Sequence, residues 1–169
     1  ESFTRMGRAK IRTKPARTQL LVQVAKGING LLNAELNYTK AAFQFNHSFH
    51  FKKLGQTSFQ IEAGQVWGQV PYSYLFNTSA TNTGTGKISV YGANNFQTAG
   101  LYELFSNKTA SLFIQHNFGN VLFKPNNIFT RPEILLIQNI TYGSLNNAAA
   151  QKNIEFKGPE KGLFESGLQ

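Results

Sequence analysis

Thr109-Ala110-Ser111-Leu112-Phe113-Ile114-Gln115-His116-Asn117-Phe118 follows a turn at Ser106-Asn107-Lys108 and reads as one amphipathic strand. Ala110, Leu112, Ile114 and Phe118 share one face with His116, while Ser111, Gln115 and Asn117 take the other. Period-two alternation is what a strand needs when its two faces meet different media. About ten residues is also the length of a tilted strand crossing a bilayer. The pattern recurs outward from this stretch. Val-Trp-Gly-Gln-Val-Pro-Tyr (66–72) closes one such strand, Tyr-Glu-Leu-Phe-Ser (102–106) ends another, and Lys-Gly-Leu-Phe-Glu-Ser-Gly (161–167) opens a last one.

Composition agrees with alternating strands. Of the 169 residues only 15% are charged, 13% are aromatic and fifteen are Phe, against a usual charged share of about a quarter. No stretch approaches the roughly 18 apolar residues of a membrane-spanning helix. Cysteine is absent, which removes disulfides and thiolate metal sites. Aspartate is absent too, so eight glutamates are the only side-chain carboxylates, and an active site built on paired acids is disfavoured. The chain begins at Glu1 with no signal peptide, as a mature or excised segment would.

In chain order, residues 3–13 read as a first strand with Phe3, Gly7, Ala9 and Ile11 on one face and Arg8, Lys10 and Arg12 on the other. Lys14-Pro15-Ala16-Arg17 is a turn. Residues 18–26 alternate Leu20, Val22 and Val24 with Gln19 and Gln23, and Gly27 to Gly30 opens a long loop. Phe43, Phe45, Phe49 and Phe51 then alternate with Gln44, Asn46, Ser48 and His50. After a turn at 52–56, Phe59, Ile61, Ala63 and Trp67 stand against Ser58, Gln60, Glu62 and Gly64. The connection 69–95 is long, with a low-complexity, flexible tip from Asn77 to Gly86. Strands at 96–106, at 109–118, at 132–142 and from about 160 complete eight. Short turns near 15, 54 and 107 oppose long loops at 27–37, 69–95 and 120–131, the asymmetry of outer-membrane barrels. The connection 143–153 belongs on the short-turn side by this count and is too long for it.

The basic residues Arg5, Arg8, Lys10, Arg12, Lys14 and Arg17 concentrate the +9 formal charge at the start of the chain. They read as a solvated or lumen-facing row, the sharper readings being lipid phosphate, anionic sugar or nucleic acid. Nucleic acid is set aside because no aromatic-basic motif of a known module occurs. Glu62 and Glu103 fall on polar faces, and a lumenal ion pair with Arg8, Lys10 or Arg12 is the expected role for them. His47 and His50 point to opposite faces of one strand, so they make no metal site. Trp67, Tyr72 and Tyr74, with Phe76, sit at a strand end as an interfacial aromatic girdle or as ordinary loop anchors. Gly84-Thr85-Gly86-Lys87 lacks the spacing of a phosphate-binding loop and reads as loop.

Gly-Gln-Val-Trp-Gly-Gln-Val-Pro-Tyr-Ser-Tyr-Leu (64–75), Tyr-Glu-Leu-Phe-Ser (102–106), Ser-Leu-Phe-Ile-Gln-His-Asn-Phe-Gly-Asn-Val-Leu-Phe (111–123), Arg-Pro-Glu-Ile (131–134) and Lys-Gly-Leu-Phe-Glu-Ser-Gly-Leu (161–168) carry a family resemblance. Together they resemble the C-terminal barrel region of a Bacteroidota outer-membrane protein family of unknown function. Its members carry a carboxypeptidase-regulatory-like domain before the barrel and are distantly similar to assembly barrels of the BamA and TamA type. The resemblance covers most of 38–168 and departs from the family at Asn107-Lys108-Thr109, where an acidic-basic-aromatic turn is usual. No Arg-Gly-Phe or Arg-Gly-Tyr element of the assembly barrels occurs. The resemblance implies a bacterial outer-membrane location and a role in envelope biogenesis, protein export or surface transport.

The expectation is therefore an all-β chain. Residues 1–169 form an antiparallel transmembrane β-barrel segment of about eight strands, part of a larger barrel and of a longer chain. It is not an enzyme and takes no cofactor. Phe43, Phe45, Phe49, Leu112, Ile114 and Phe118 face lipid, and Arg8, Lys10, Arg12, Glu62 and Glu103 face the lumen. Its partners are outer-membrane lipid, the remaining strands of its barrel and other envelope proteins, and not nucleic acid. The alternative is a soluble all-β ligand-binding module, lipocalin-like or a sandwich, that buries the Phe43 to Phe51 row.

Overall fold

The computed structural model describes residues 3–6, 9–12, 18–30, 35–51, 53–82, 94–119, 133–146 and 157–169, with side chains from residue 18 onward. The strands in chain order are β1 (Phe3–Met6), β2 (Ala9–Arg12), β3 (Thr18–Gly27), β4 (Tyr38–Phe51), β5 (Gly55–Trp67) and β6 (Phe76–Asn77). They continue as β7 (Ala80–Asn82), β8 (Phe96–Gly100), β9 (Phe105–Ser106), β10 (Lys108–Asn117), β11 (Leu135–Ser144) and β12 (Leu163–Leu168). A 3-10 turn occupies Tyr72–Tyr74.

Six of these strands form one antiparallel sheet in the order β12-β11-β10-β5-β4-β3. Neighbours in this sheet are neighbours in sequence, except that residues 68–107 are looped out between β5 and β10. Val66 N–H donates to Asn107 O across that junction at 2.7 Å. The β4–β5 turn is tight: Leu54 N–H donates to Phe51 O, and Gly55 holds φ +97°. Only glycine suits that position, because a Cβ there would lie 1.9 Å from Asn117 O.

The looped-out segment folds onto one face of the sheet. β7 and β8 pair in parallel, β6 and β9 antiparallel. Phe96 has no exposed surface and packs its ring 5.5 Å from that of Phe113, which is 1% exposed, with Ala80 and Ala99 around them. Full burial of such a phenylalanine is worth about 1.5–3 kcal/mol, so this pair pins the segment to β10. Glu165 of β12 adds a clasp, its Oε2 accepting from Gln97 N, Thr98 N and Thr98 Oγ1, each at 2.8 Å. At Gly64 the Phe76 ring lies where a Cβ would stand, 2.4 Å away at its closest atom.

Two expectations change. Residues 3–13 are not one strand: β1 and β2 pair antiparallel, with Met6 opposite Ala9. Residues 96–106 are not a wall strand either. Phe96, Ala99 and Phe105 are buried against the sheet face, and the chain breaks into β8 and β9 at Leu101 and Tyr102, the latter at φ +56°. The described sheet therefore has six strands rather than eight.

Connection ends shift with this count. The connections 28–37, 68–107 and 145–162 leave one end of the sheet, and 52–54 and 118–134 leave the other. The long 143–153 stretch thus joins the long-loop end, which removes its misfit, while the long 118–134 connection stands with the tight turn. The expected low-complexity tip is ordered over Asn77–Asn82, where Ala80 pairs opposite Phe96. The turn at 14–17 and the segment Gly84–Lys87 lie outside the described residues.

Candidate functional site

The register sorts the sheet into two unlike faces. Leu20, Phe45, Ile61, Leu112, Ile140 and Phe164 stand directly opposite one another in a row that crosses all six strands. The adjacent row is Val22, Phe43, Ala63, Ala110 and Tyr142. Leu20 is 64% exposed, Val22 63% and Phe164 62%, and no strand of the described residues covers this face. Phe45, Phe49 and Phe59 pack among themselves on it, with centroids 5.8 Å apart from Phe45 to Phe59 and from Phe49 to Phe59. Phe43, Phe45, Phe49, Leu112 and Ile114 all lie here. Phe118 lies just past β10 with its ring edge-on to His116 at 4.4 Å.

The apolar face has polar interruptions. Gln138 donates to Ser166, and Gln65 pairs with Lys108 in the register. At the tight-turn end, the His47 ring nitrogen Nδ1 lies 2.7 Å from Thr18 Oγ1. His116 bridges Thr57 Oγ1 at 2.7 Å and Leu54 O at 2.9 Å. Since a carbonyl only accepts, His116 Nε2 carries the proton and Nδ1 accepts from Thr57. Both histidines are satisfied by local hydrogen bonds. Among the described residues no group of His and Glu is placed to hold a metal ion, and no helix is long and apolar enough to cross a membrane.

The opposite face is mostly polar and carries the 68–107 segment. Gln44, Glu62, Ser111 and Thr141 form one row with Leu21 and Leu163 at its ends. The next is Gln19, Asn46, Gln60, Phe113, Asn139 and Glu165. Ser111 and Thr141 share a buried hydroxyl hydrogen bond of 2.8 Å, and Asn139 Nδ2 donates to Asn95 O at 3.1 Å. Lys40 Nζ donates to Tyr74 O at 2.9 Å and lies 4.3 Å from the centre of the Phe76 ring. Between β3, β4, β5, β10 and the 76–79 stretch lies a cavity of about 210 Å³, lined by Gln23, Gln44, Glu62, Asn77, Thr78 and Ser111 among others.

The structure distributes the expected charged residues unevenly. Glu62 projects from β5 into this cavity and accepts from Gln60 Nε2 at 2.6 Å. Glu103 is not on a wall strand but in the looped-out segment, where its carboxylate meets Lys157 Nζ at 2.8 Å and Gly100 N at 2.7 Å. The Lys157 hydrogen bond, then the Gly100 N–H, hold its carboxyl below the usual carboxylate range. Glu103 thus pairs with Lys157 rather than with the first strand. Arg8 and the side chains of Lys10 and Arg12 lie outside the described residues, although the backbone of the latter two is in β2.

The aromatic girdle divides. Trp67, at the end of β5, and Tyr72 are about half exposed, whereas Tyr74 packs edge-on against Tyr38 at 4.9 Å. Trp67 sits on the apolar face opposite Thr39. Tyr72 meets Phe105 at 6.3 Å and serves as a loop anchor. Sequence reasoning missed the buried pair Phe96 and Phe113 and the Glu165 clasp; Phe113, the one large apolar residue on the polar face of its strand, was the available signal. Comparisons with family models, with curated proteins and with solved structures found no match for this chain.

Proposed function

We propose that this chain is a segment of an integral outer-membrane β-barrel that carries out no catalysis. The carrying observation is the apolar row from Leu20 to Phe164, unbroken across six strands on an uncovered face and backed by a polar face. Soluble monomers rarely leave contiguous apolar patches of this extent in water, whereas a barrel wall puts such a face in lipid and its polar face toward the lumen. The lengths of β3, β4, β5, β10 and β11, ten to fourteen residues, suit a tilted crossing.

The sheet edges fit the same reading. β3 is exposed from Thr18 through Val24, including Leu20, Leu21, Val22 and Val24, and no strand of the described residues pairs with its outer edge. Barrel closure removes such edges, so the remaining strands of the parent barrel are the partners proposed for β3 and β12. Outer-membrane lipid is the partner of the apolar face. The family resemblance supports a role in envelope biogenesis, protein export or surface transport, alongside other envelope proteins.

The test is expression of the parent chain with an export signal, followed by detergent extraction of envelopes and electrophoresis with and without boiling. A detergent-requiring band whose mobility shifts on boiling is expected; a chain soluble without detergent and unshifted overturns the proposal. The second reading, a soluble all-β ligand-binding module, is favoured by the open sheet and by Gln138, Ser166 and Lys108 within the apolar face. In that case a further layer covers Phe43 to Phe51.

A further inference from the structure

The apolar face ends differently at its two rims. Among the described residues of its six strands, this face carries two side chains of fixed charge, Lys26 and Lys108. Both stand at the end where the long connections leave. Lys26 is the last residue of β3 on this face, Trp67 the last of β5 and Lys108 the first of β10. Lys26 and Trp67 flank Thr39 in one row of the register. Both lysines are exposed and Trp67 is 48% exposed. Neither lysine pairs with a carboxylate among the described residues. The opposite rim presents His47, His116, Phe49 and Phe51 on this face, with no lysine, arginine or glutamate. Lys108 therefore bounds the apolar face rather than interrupting it.

Strand geometry sets where these ammonium groups reach. From Lys108 to His116 on β10, as from Lys26 to Thr18 on β3, the chain covers about 27 Å of strand, or about 20 Å of height at a tilt of about 40°. A barrel wall has an apolar band of about 25 Å, so a lysine at its upper edge lays its stem along apolar surface and lifts its charge to head-group level. Trp67 beside Lys26 is the ring that favours the same level. A cation held there without a carboxylate partner attracts phosphate. Three strand spacings and one row separate Lys26 from Lys108, roughly 15 Å, too far to share one phosphate. We propose, on the membrane reading above, that this rim selects lipids of net negative charge in the leaflet on the long-connection side, Lys26 and Lys108 each holding a separate head-group phosphate.

The test reconstitutes the parent chain, with any tryptophan other than Trp67 changed to phenylalanine, in vesicles of phosphatidylcholine with a minor share of phosphatidylglycerol. Bromine is carried on the acyl chains of one lipid or the other, and quenching of Trp67 emission reads which lipid lies beside the rim. At equal mole fraction of brominated lipid, phosphatidylglycerol should quench as if enriched about fivefold, the factor for one lysine at an anionic surface, and the preference should fall as salt rises. Lys26→Gln together with Lys108→Gln abolishes it, while Lys53→Gln in the tight turn at the other end leaves it. Equal quenching by the two lipids, or a preference undiminished in the double variant, overturns the head-group assignment and leaves the membrane reading standing. Trp67 unquenched by either lipid overturns both. If the double variant fails to assemble, the wild-type comparison of the two lipids and its salt dependence decide the matter.

Discussion

Placing an arginine at two adjacent positions of β4 separates the two faces energetically. Phe45 lies in the centre of the apolar row between Leu20 and Ile61, and Gln44 in the polar row between Leu21 and Glu62. In a barrel wall, Phe45→Arg sets a charge near the bilayer midplane at a cost of about 2–4 kcal/mol and loses the ring contact with Phe59 at 5.8 Å. At about 1.4 kcal/mol per tenfold, that is a roughly thirtyfold to several-hundredfold loss of assembled protein. Gln44→Arg instead places the guanidinium across from the Glu62 carboxylate, a cross-strand opposite-charge pair worth about 0.2–1 kcal/mol in favour. The assay is the heat-modifiable fraction of each variant in isolated envelopes, with denaturant titration in lipid vesicles as the quantitative form. Assembly lost for Phe45→Arg and kept for Gln44→Arg is expected. Equal tolerance of both, as for two solvated surface positions, refutes the assignment of faces and with it the membrane reading.

Three further outcomes follow from individual contacts. Gly55→Ala forces a side chain into positive φ and against Asn117 O, and a loss of about 1–3 kcal/mol or more of unfolding free energy, read as a lowered denaturant midpoint, is expected; an unchanged midpoint contradicts the tight turn. Phe96→Ala empties the ring site over Phe113 and should cost about 3–5 kcal/mol. Its amide exchange should rise first in β7 and β8, and uniform protection across them rules out the packed segment. The Glu103 carboxyl is depressed in the folded chain by Lys157 and Gly100, so its contribution is present above the unfolded carboxylate pKa of about 4.3 and is lost as pH falls through the lower folded value. Because Lys157 is largely and Glu103 partly exposed, the effect is small and salt-sensitive. Glu103→Gln should flatten that acid limb of the melting curve, and an identical acid limb in the variant removes the ion pair as its cause.

Wherever period two was clean, strand and face were legible. Phe43 to Phe51, Phe59 to Trp67 and Ala110 to Ile114 each announced which side chains would share a surface, because a one-residue slip would exchange every apolar residue for a polar one. Legibility failed where short apolar clusters served a second layer. Phe96 and Ala99 carry strand-like composition, but they bury against Phe113, a tertiary partner that local pattern does not reveal. Arg8, Lys10 and Arg12 alternate well enough for a straight strand, yet β1 and β2 double back, and alternation alone carries no information on where a chain reverses. Of the cavity, Glu62 was singled out by its charge on a polar face. Thr78, which also lines it, was hidden in a low-complexity stretch whose composition resembles loop.

The looped-out segment between β5 and β10 sets an order of events during folding. Strands β4 and β5 are joined by a tight turn, whereas β5 and β10 meet only after the ends of the 68–107 connection are brought together. Lengthening a loop from a few residues to several tens spans between three and four doublings, at about 0.6 kcal/mol each, so closure of the second pair is disfavoured by roughly 2 kcal/mol. By loop-closure entropy the β4–β5 hairpin is therefore the pairing expected to form first, and Phe96 settling over Phe113 contributes contacts that hold the 68–107 segment to β10 once β5 and β10 have met.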